Sequence, residues 1–177
     1  MSIRPILHFA APLPKIESFQ RYLFIGPHPD DIEIGAGATA ARLAAEGKEI
    51  CFLICADGRY GTDELDMNLQ PEELTELRRW EAGDSAAYLG VKDLRFLDLC
   101  DGGFYSEEDL TGEIARVIGD FQPDVIFAPD PDVIGECHPD HTPAYLSRRV
   151  RLPAGLREDL SGDAGRGSAQ AGQDHRL

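Results

Sequence analysis

Two hydrophobic patterns alternate between Arg21 and Pro129. Short, continuous apolar runs recur as RYLFIG (Arg21–Gly26), EICFLICAD (Glu49–Asp57), DLRFLDL (Asp93–Leu99) and PDVIFAP (Pro123–Pro129). They are brief, rich in branched or aromatic residues and bounded by turn formers, so each reads as a buried strand. The segments between them repeat at helical spacing. An Ala-rich stretch predicts a helix over Gly37–Glu46, with Gly47 as its C-cap. PEELTELRRWEAGDSAAYLG opens on Pro71 and two glutamates, as a helix N-terminus does, and closes at Gly90; Leu74, Leu77, Trp80, Ala87 and Tyr88 are expected to share its buried face. EEDLTGEIARVIGDF (Glu107–Phe121) predicts a third helix. The order β-α-β-α-β-α-β implies an α/β, Rossmann-like fold, with a mostly parallel sheet, right-handed crossovers and helices on both faces.

The pattern stops at both ends. Residues 1–20 read as an N-terminal extension and 21–150 as one folded domain. From Arg151 to Leu177 there is no Val, Ile or aromatic residue, so this segment is expected to be a low-order Gly/Ala-rich tail that buries little. MSIRPILHFAAPLP at the start is broken by His8 and by prolines, and a signal peptide is not expected. No run approaches the roughly 20 apolar residues of a membrane span.

The net charge of −15 disfavours nucleic acid or an anionic membrane as a partner. A small molecule fits better, and the fold type allows a homo-oligomer. The four cysteines show no CxxC spacing; Cys51 and Cys55 lie in a strand and read as buried hydrophobes, so a reducing, cytoplasmic setting is expected. Cys137 is given no role.

One turn carries two readings. GAGATA (Gly35–Ala40) matches G-x-G-x-x-A, and Asp57 closes the next strand at the distance of a dinucleotide fingerprint. Those glycines should follow the strand directly, yet PHPDDIEI intervenes and brings three carboxylates to where a pyrophosphate would sit. The preferred reading is that the glycines serve close packing of helix on sheet.

The chemistry lies in two loops. PHPDD (Pro27–Asp31) follows the first strand, and PDPDVIGECHPDHTP (Pro129–Pro143) follows the fourth. Loops at the carboxyl ends of parallel strands converge on one crevice, so His138 and His141 can reach His28 and the aspartates. Adjacent carboxylates beside an imidazole repel one another and lose solvation unless a cation compensates them. Two nitrogens and one carboxylate, with a position left for water, describe a catalytic zinc site. The second carboxylate of the pair is left to take a proton from that water, which is metal-assisted hydrolysis. Phosphoester hydrolysis would more naturally need two metals and basic phosphate contacts.

These residues resemble those of the LmbE/PIG-L family of zinc-dependent N-deacetylases, which act on N-acetylglucosamine conjugates. PHPDD, RRWEAGDSAAYLGV, DLCDGG and HPDH occur in family order over about Arg21–Leu146. The DDIEIG continuation is more similar to the bacillithiol-pathway and related bacterial branch than to the HPDDE branch. The resemblance implies that His28, Asp31 and His141 ligate zinc, with Fe2+ or another divalent ion as a substitute. It implies Asp30 as general base and His138 as stabiliser of the oxyanion, and it puts Arg78 and Asp101 at the sugar. The implied reaction removes an N-acetyl group from an amino-sugar conjugate. Family members continue past HPDH with further helix and strand, whereas here the Gly-rich tail follows, as in a truncated or frame-shifted C-terminus. The alternatives are therefore a catalytically impaired metal- or sugar-binding remnant of the family and, further off, a dinucleotide-binding module.

Overall fold

In the computed structural model, residues 15–61, 69–130 and 138–141 are described. The expected extension over residues 1–20 lies outside them up to residue 14, as does the whole of the expected tail over 151–177. A 3-10 turn at Ile16–Ser18 leads into strand β1 (Arg21–Gly26), helix α1 (Asp31–Ala45), strand β2 (Glu49–Ala56), helix α2 (Pro71–Tyr88), strand β3 (Asp93–Leu99), helix α3 (Glu107–Phe121) and strand β4 (Val125–Phe127). The four strands form one sheet in the order β3-β2-β1-β4 with every pairing parallel. The chain moves outward from β1 to β2 and β3, then returns to the other side of β1 for β4. The loops after β1 and β4 therefore leave the sheet side by side at the point where strand order reverses, the usual crevice of an open α/β sheet.

Burial follows the strand period. Tyr22, Phe24, Phe52 and Ile54 pack with Ile32, Ala40 and Leu43 of α1 and Ala82 and Ala86 of α2 on one face. Leu23, Ile25, Cys51, Leu53 and Cys55 pack with Leu110, Ile114, Val117, Ile118 and Phe121 of α3 on the other. Phe127 stacks on Phe24, ring centroids 4.5 Å apart, and so ties β4 to β1.

Three details differ from the pattern reading. Helix α1 starts at Asp31 rather than near Gly37, because Asp31 and Glu33 place negative charge in its first turn and Ile32 anchors it to the core. Its far end closes as expected at Gly47, whose N–H donates to Ala44 O while the N–H of Lys48 donates to Leu43 O. Second, the glycines of GAGATA do not serve close packing: a methyl on Gly35 would touch nothing within 4 Å, and one on Gly37 would make only ordinary contacts at 3.8 Å. The close approach occurs at Gly26 instead, where a methyl would lie 2.7 Å from Ile32 Cγ1. Third, α2 buries Leu74, Ala82 and Ala86, leaving Trp80 68% and Tyr88 92% exposed. Small residues on this stripe bring the helix close to the sheet, and the aromatics lie on the opposite side.

Candidate active site

The site begins with the turn after β1. Asp30 adopts φ +106°, a conformation uncommon for a residue with a side chain, and stands as the N-cap of α1. This turn places His28 and Asp31 over the carboxyl end of β1, where the His28 N–H donates to Asp31 Oδ2 at 2.8 Å. A register shift at the end of β3, beside Asp98 at φ +57°, swings the following Cys100–Asp101 segment toward the same end. The short turn 138–141 closes the group, with the His141 N–H donating to His138 O.

His28 stands at the centre. Its Nδ1 is 3.1 Å from His141 Nε2 and 3.4 Å from Asp31 Oδ2, and His141 Nε2 is 3.2 Å from Asp31 Oδ2. These three atoms form a nearly equilateral triangle. A tetrahedral ion with bonds of about 2.0–2.1 Å requires ligand atoms about 3.3–3.4 Å apart. The donor set therefore fits a divalent cation. His138 adds a third imidazole; one ligand atom each from His28, His138 and His141 lie within 4.8 Å of one another.

The other nitrogen of His28 is bound from behind. Nε2 lies 3.1 Å from Asp101 Oδ1 and 3.0 Å from Asp140 Oδ2. Carboxylates on the far nitrogen of an imidazole fix its tautomer and orientation, which directs the Nδ1 lone pair toward Asp31 and His141. Asp140 is itself held by the Gly102 N–H at 2.9 Å and the Tyr105 hydroxyl at 2.7 Å. Burial alone would raise the Asp140 pKa; the bonds from His28, Tyr105 and Gly102 hold it well below the usual carboxylate range. For His28, burial favours the neutral ring, but the hydrogen bonds to Asp140 and Asp31 and the charge of Asp101 push its pKa up to about 10.

The seven candidate site residues all lie at this end of the sheet. A cavity of about 420 Å³ is lined by His28, Asp30, Asp31, Arg78, Asp101, His138 and His141, together with Pro29, Gly58, Tyr60, Gly61 and Gly102. Arg78 reaches over from α2: its Nη2 donates to Pro29 O at 2.7 Å and Asp30 Oδ2 at 2.6 Å, and its Nη1 to Glu81 at 2.8 Å. Asp101, expected at the sugar, is buried, with its carboxylate on His28 and on the N–H of Tyr60. Asp57 accepts from Arg59 and from the Asp101 N–H. Cys137 lies outside the described residues. Asp140 was missed by sequence reasoning, although it is the third residue of HPDH and repeats the Pro-Asp step of PHPDD.

A family model described as PIG-L, GlcNAc-PI de-N-acetylase, matches residues 23–148. The chain belongs to the PIG-L family. Among its relatives are a diacetylchitobiose deacetylase of Thermococcus kodakarensis, 37% identical over 146 residues, covering 80% of this chain and 54% of the relative. A 1D-myo-inositol 2-acetamido-2-deoxy-alpha-D-glucopyranoside deacetylase of Kineococcus radiotolerans is 31% identical, covering 82% and 48%. The solved structure of N,N'-diacetylchitobiose deacetylase from Pyrococcus horikoshii, complexed with its inhibitor MPG, superposes with a TM-score of 0.69 at 37% identity over 79% of this chain and 51% of that one. The chain spans about half the length of these relatives. This PIG-L chain carries a mostly parallel four-stranded sheet flanked by helices, as expected from the strand–helix alternation. Among the described residues no helix is long and apolar enough to cross a membrane. The dinucleotide reading loses its turn, since GAGATA lies within α1 and the turn after β1 is made by PHPD.

Proposed function

We propose that this chain carries zinc-dependent N-deacetylase chemistry, hydrolysing the acetamide of an N-acetylglucosamine-type conjugate to acetate and a free amine. The observation that carries the reading is the triangle of His28 Nδ1, Asp31 Oδ2 and His141 Nε2, with Asp30 beside it on the cavity wall. These three residues would hold the ion, with Fe2+ or another divalent metal as a substitute. When bound, the ion supplies the Lewis acidity that brings the pKa of water to about 7. Asp30 accepts the proton of the attacking water and passes it to the departing amine as the C–N bond breaks. His138 faces the cavity. The Asp140 N–H donates to its Nδ1 at 3.3 Å, which puts the ring proton on Nε2, 4.0 Å from Asp101 Oδ1; that N–H would turn to the acetyl oxygen as negative charge grows there. Asp101 and Asp140 keep His28 oriented, while Arg78, and Asp101 through its place on the cavity wall, bound the space for the sugar.

The relatives are named for diacetylchitobiose and for an inositol-linked acetamido sugar, which supports a neutral amino-sugar conjugate as substrate. A reducing, cytoplasmic setting is supported by Cys51 and Cys55, two buried thiols on β2 whose pKa values burial pushes up to about 12. Self-association would draw on apolar surface such as Ile34, exposed on α1. The deciding experiment measures metal content and amine release together, with N,N'-diacetylchitobiose and N-acetylglucosamine as substrates. One equivalent of zinc is expected, with amine release lowered about 10²–10⁴-fold by Asp30→Asn. Full zinc occupancy without release from any N-acetylated sugar would favour the binding remnant.

A further inference from the structure

Two aromatic rings at the cavity mouth are exposed to water. Phe104 is 74% exposed and Tyr60 55%. They come from different loops, after β3 and after β2, yet they border the same glycine. A methyl on Gly102 would lie 3.0 Å from Phe104 Cε2 and 4.0 Å from Tyr60 Cδ2. Gly102 holds φ +92° and Gly103 φ +78°, so the turn between Asp101 and Phe104 needs glycine at both steps.

The turn is fixed to the catalytic loop. The Gly102 N–H donates to Asp140 Oδ2 at 2.9 Å, and a methyl on Gly103 would sit 3.3 Å from Pro139 Cβ. Tyr60 is fixed as well, through its N–H to Asp101 Oδ2 at 3.2 Å. Asp101 and Asp140 are the two carboxylates behind His28. The rings are thus placed by the same groups that orient the central imidazole. Tyr60 and Gly102 line the cavity with His28 and His138, and Phe104 stands just beyond Gly102.

We propose that Tyr60 and Phe104 form a stacking platform for a second, neutral pyranose ring joined to the N-acetylated one. The inference rests on the deacetylase reading. A pyranose presents a face of C–H groups edged by hydroxyls, and an exposed aromatic ring covers such a face while leaving the hydroxyls hydrated. Neutrality follows from charge: the chain carries −15 overall, and Asp30 and Asp31 line the cavity, which disfavours an anionic group.

The test compares N,N'-diacetylchitobiose with N-acetylglucosamine on the metal-loaded chain. Phe104→Ala and Tyr60→Ala should each lower the preference for the disaccharide, the ratio of the two kcat/KM values, by about three- to tenfold, the range expected for one aromatic contact. Phe104→Tyr should keep the preference and Phe104→Leu should lose most of it, which separates a ring from generic apolar contact. Titration of the metal-free chain with the disaccharide, followed by calorimetry, should show the same weakening in Kd. An unchanged ratio in both alanine variants overturns the platform. If the parent chain hydrolyses neither sugar but Phe104→Ala still weakens disaccharide binding, the platform stands and the deacetylase reading falls.

Discussion

Arg78 on α2 and Asp30 at the start of α1 meet through a 2.6 Å contact between Nη2 and Oδ2, and the same nitrogen holds the carbonyl of Pro29. The arginine thereby braces the one aspartate of the pair that has a left-handed backbone. Such conformations persist where surrounding contacts over-determine them.

Removing either partner should therefore affect turnover differently from metal content. Asp30→Asn is expected to keep the ion and lose about 10²–10⁴-fold in kcat, the contribution of a general base. Arg78→Ala should lower kcat by about tenfold or more while the ion stays, because a misplaced base works poorly. A rise in KM at constant kcat would instead assign Arg78 wholly to sugar binding. Steady-state kinetics beside metal analysis distinguish the two.

Metal affinity should depend on residues at two depths. His28→Ala, Asp31→Ala and His141→Ala should each abolish stoichiometric binding. Asp140→Asn leaves all three donors in place but loosens the bond behind His28, and a loss of about 10–100-fold in affinity is expected. Competition with a chelator of known affinity measures it. An unchanged affinity in Asp140→Asn would show that His28 needs no support from behind.

Two glycines on either side of the same turn should respond oppositely to a methyl. Gly26→Ala drives Cβ to 2.7 Å from Ile32 Cγ1 inside the core and should cost about 1–3 kcal/mol. Gly35→Ala meets nothing within 4 Å on an exposed helical surface and should gain about 0.5–1 kcal/mol. Chemical denaturation of the two variants reads both signs.

Asp57 sets an acid limit on stability. Burial would raise its pKa, but bonds from Arg59 and from the Asp101 N–H hold it below the ordinary value. The folded state therefore binds fewer protons here than the unfolded chain, whose Asp titrates near ~3.9. The stabilisation is present above that pH and is lost as pH falls through the depressed folded value. Asp57→Asn should cost about 1–3 kcal/mol at pH 7, with the gap between variant and parent closing below about pH 4. A gap independent of pH would mean that the loss is one of shape, not of charge.

The parallel sheet and the converging loops were legible because four apolar runs alternate with helical spacing; the pairing of β4 with β1, which sets PHPDD beside HPDH, was not. The start of α1 was not legible, since Gly35 and Gly37 read as a break, although charge at Asp31 and Glu33 and burial of Ile32 outweigh their weak propensity. Trp80 shows the limit of spacing. It lies a helical step from Leu77, but the sheet is met by Leu74, Ala82 and Ala86, and a string of small residues is a weaker signal than an indole. The roles of Asp101 and Asp140 needed the third dimension, because an aspartate on a zinc ligand's far nitrogen has no fixed distance from it in sequence.

His28 and His141 are 113 positions apart in the chain, and β4 is joined to β1 by register over Tyr22–Phe24 alone. Closing so long a span is entropically costly and only slowly compensated. An ion shared by both histidines would clasp the sheet edge, because it can be held only while β4 is docked. Its binding free energy would add to that docking by mass action, about 4 kcal/mol at a thousandfold excess over Kd. Chelation should then register first as faster amide exchange in Val125–Phe127, while β2, buried between β1 and β3, keeps its protection.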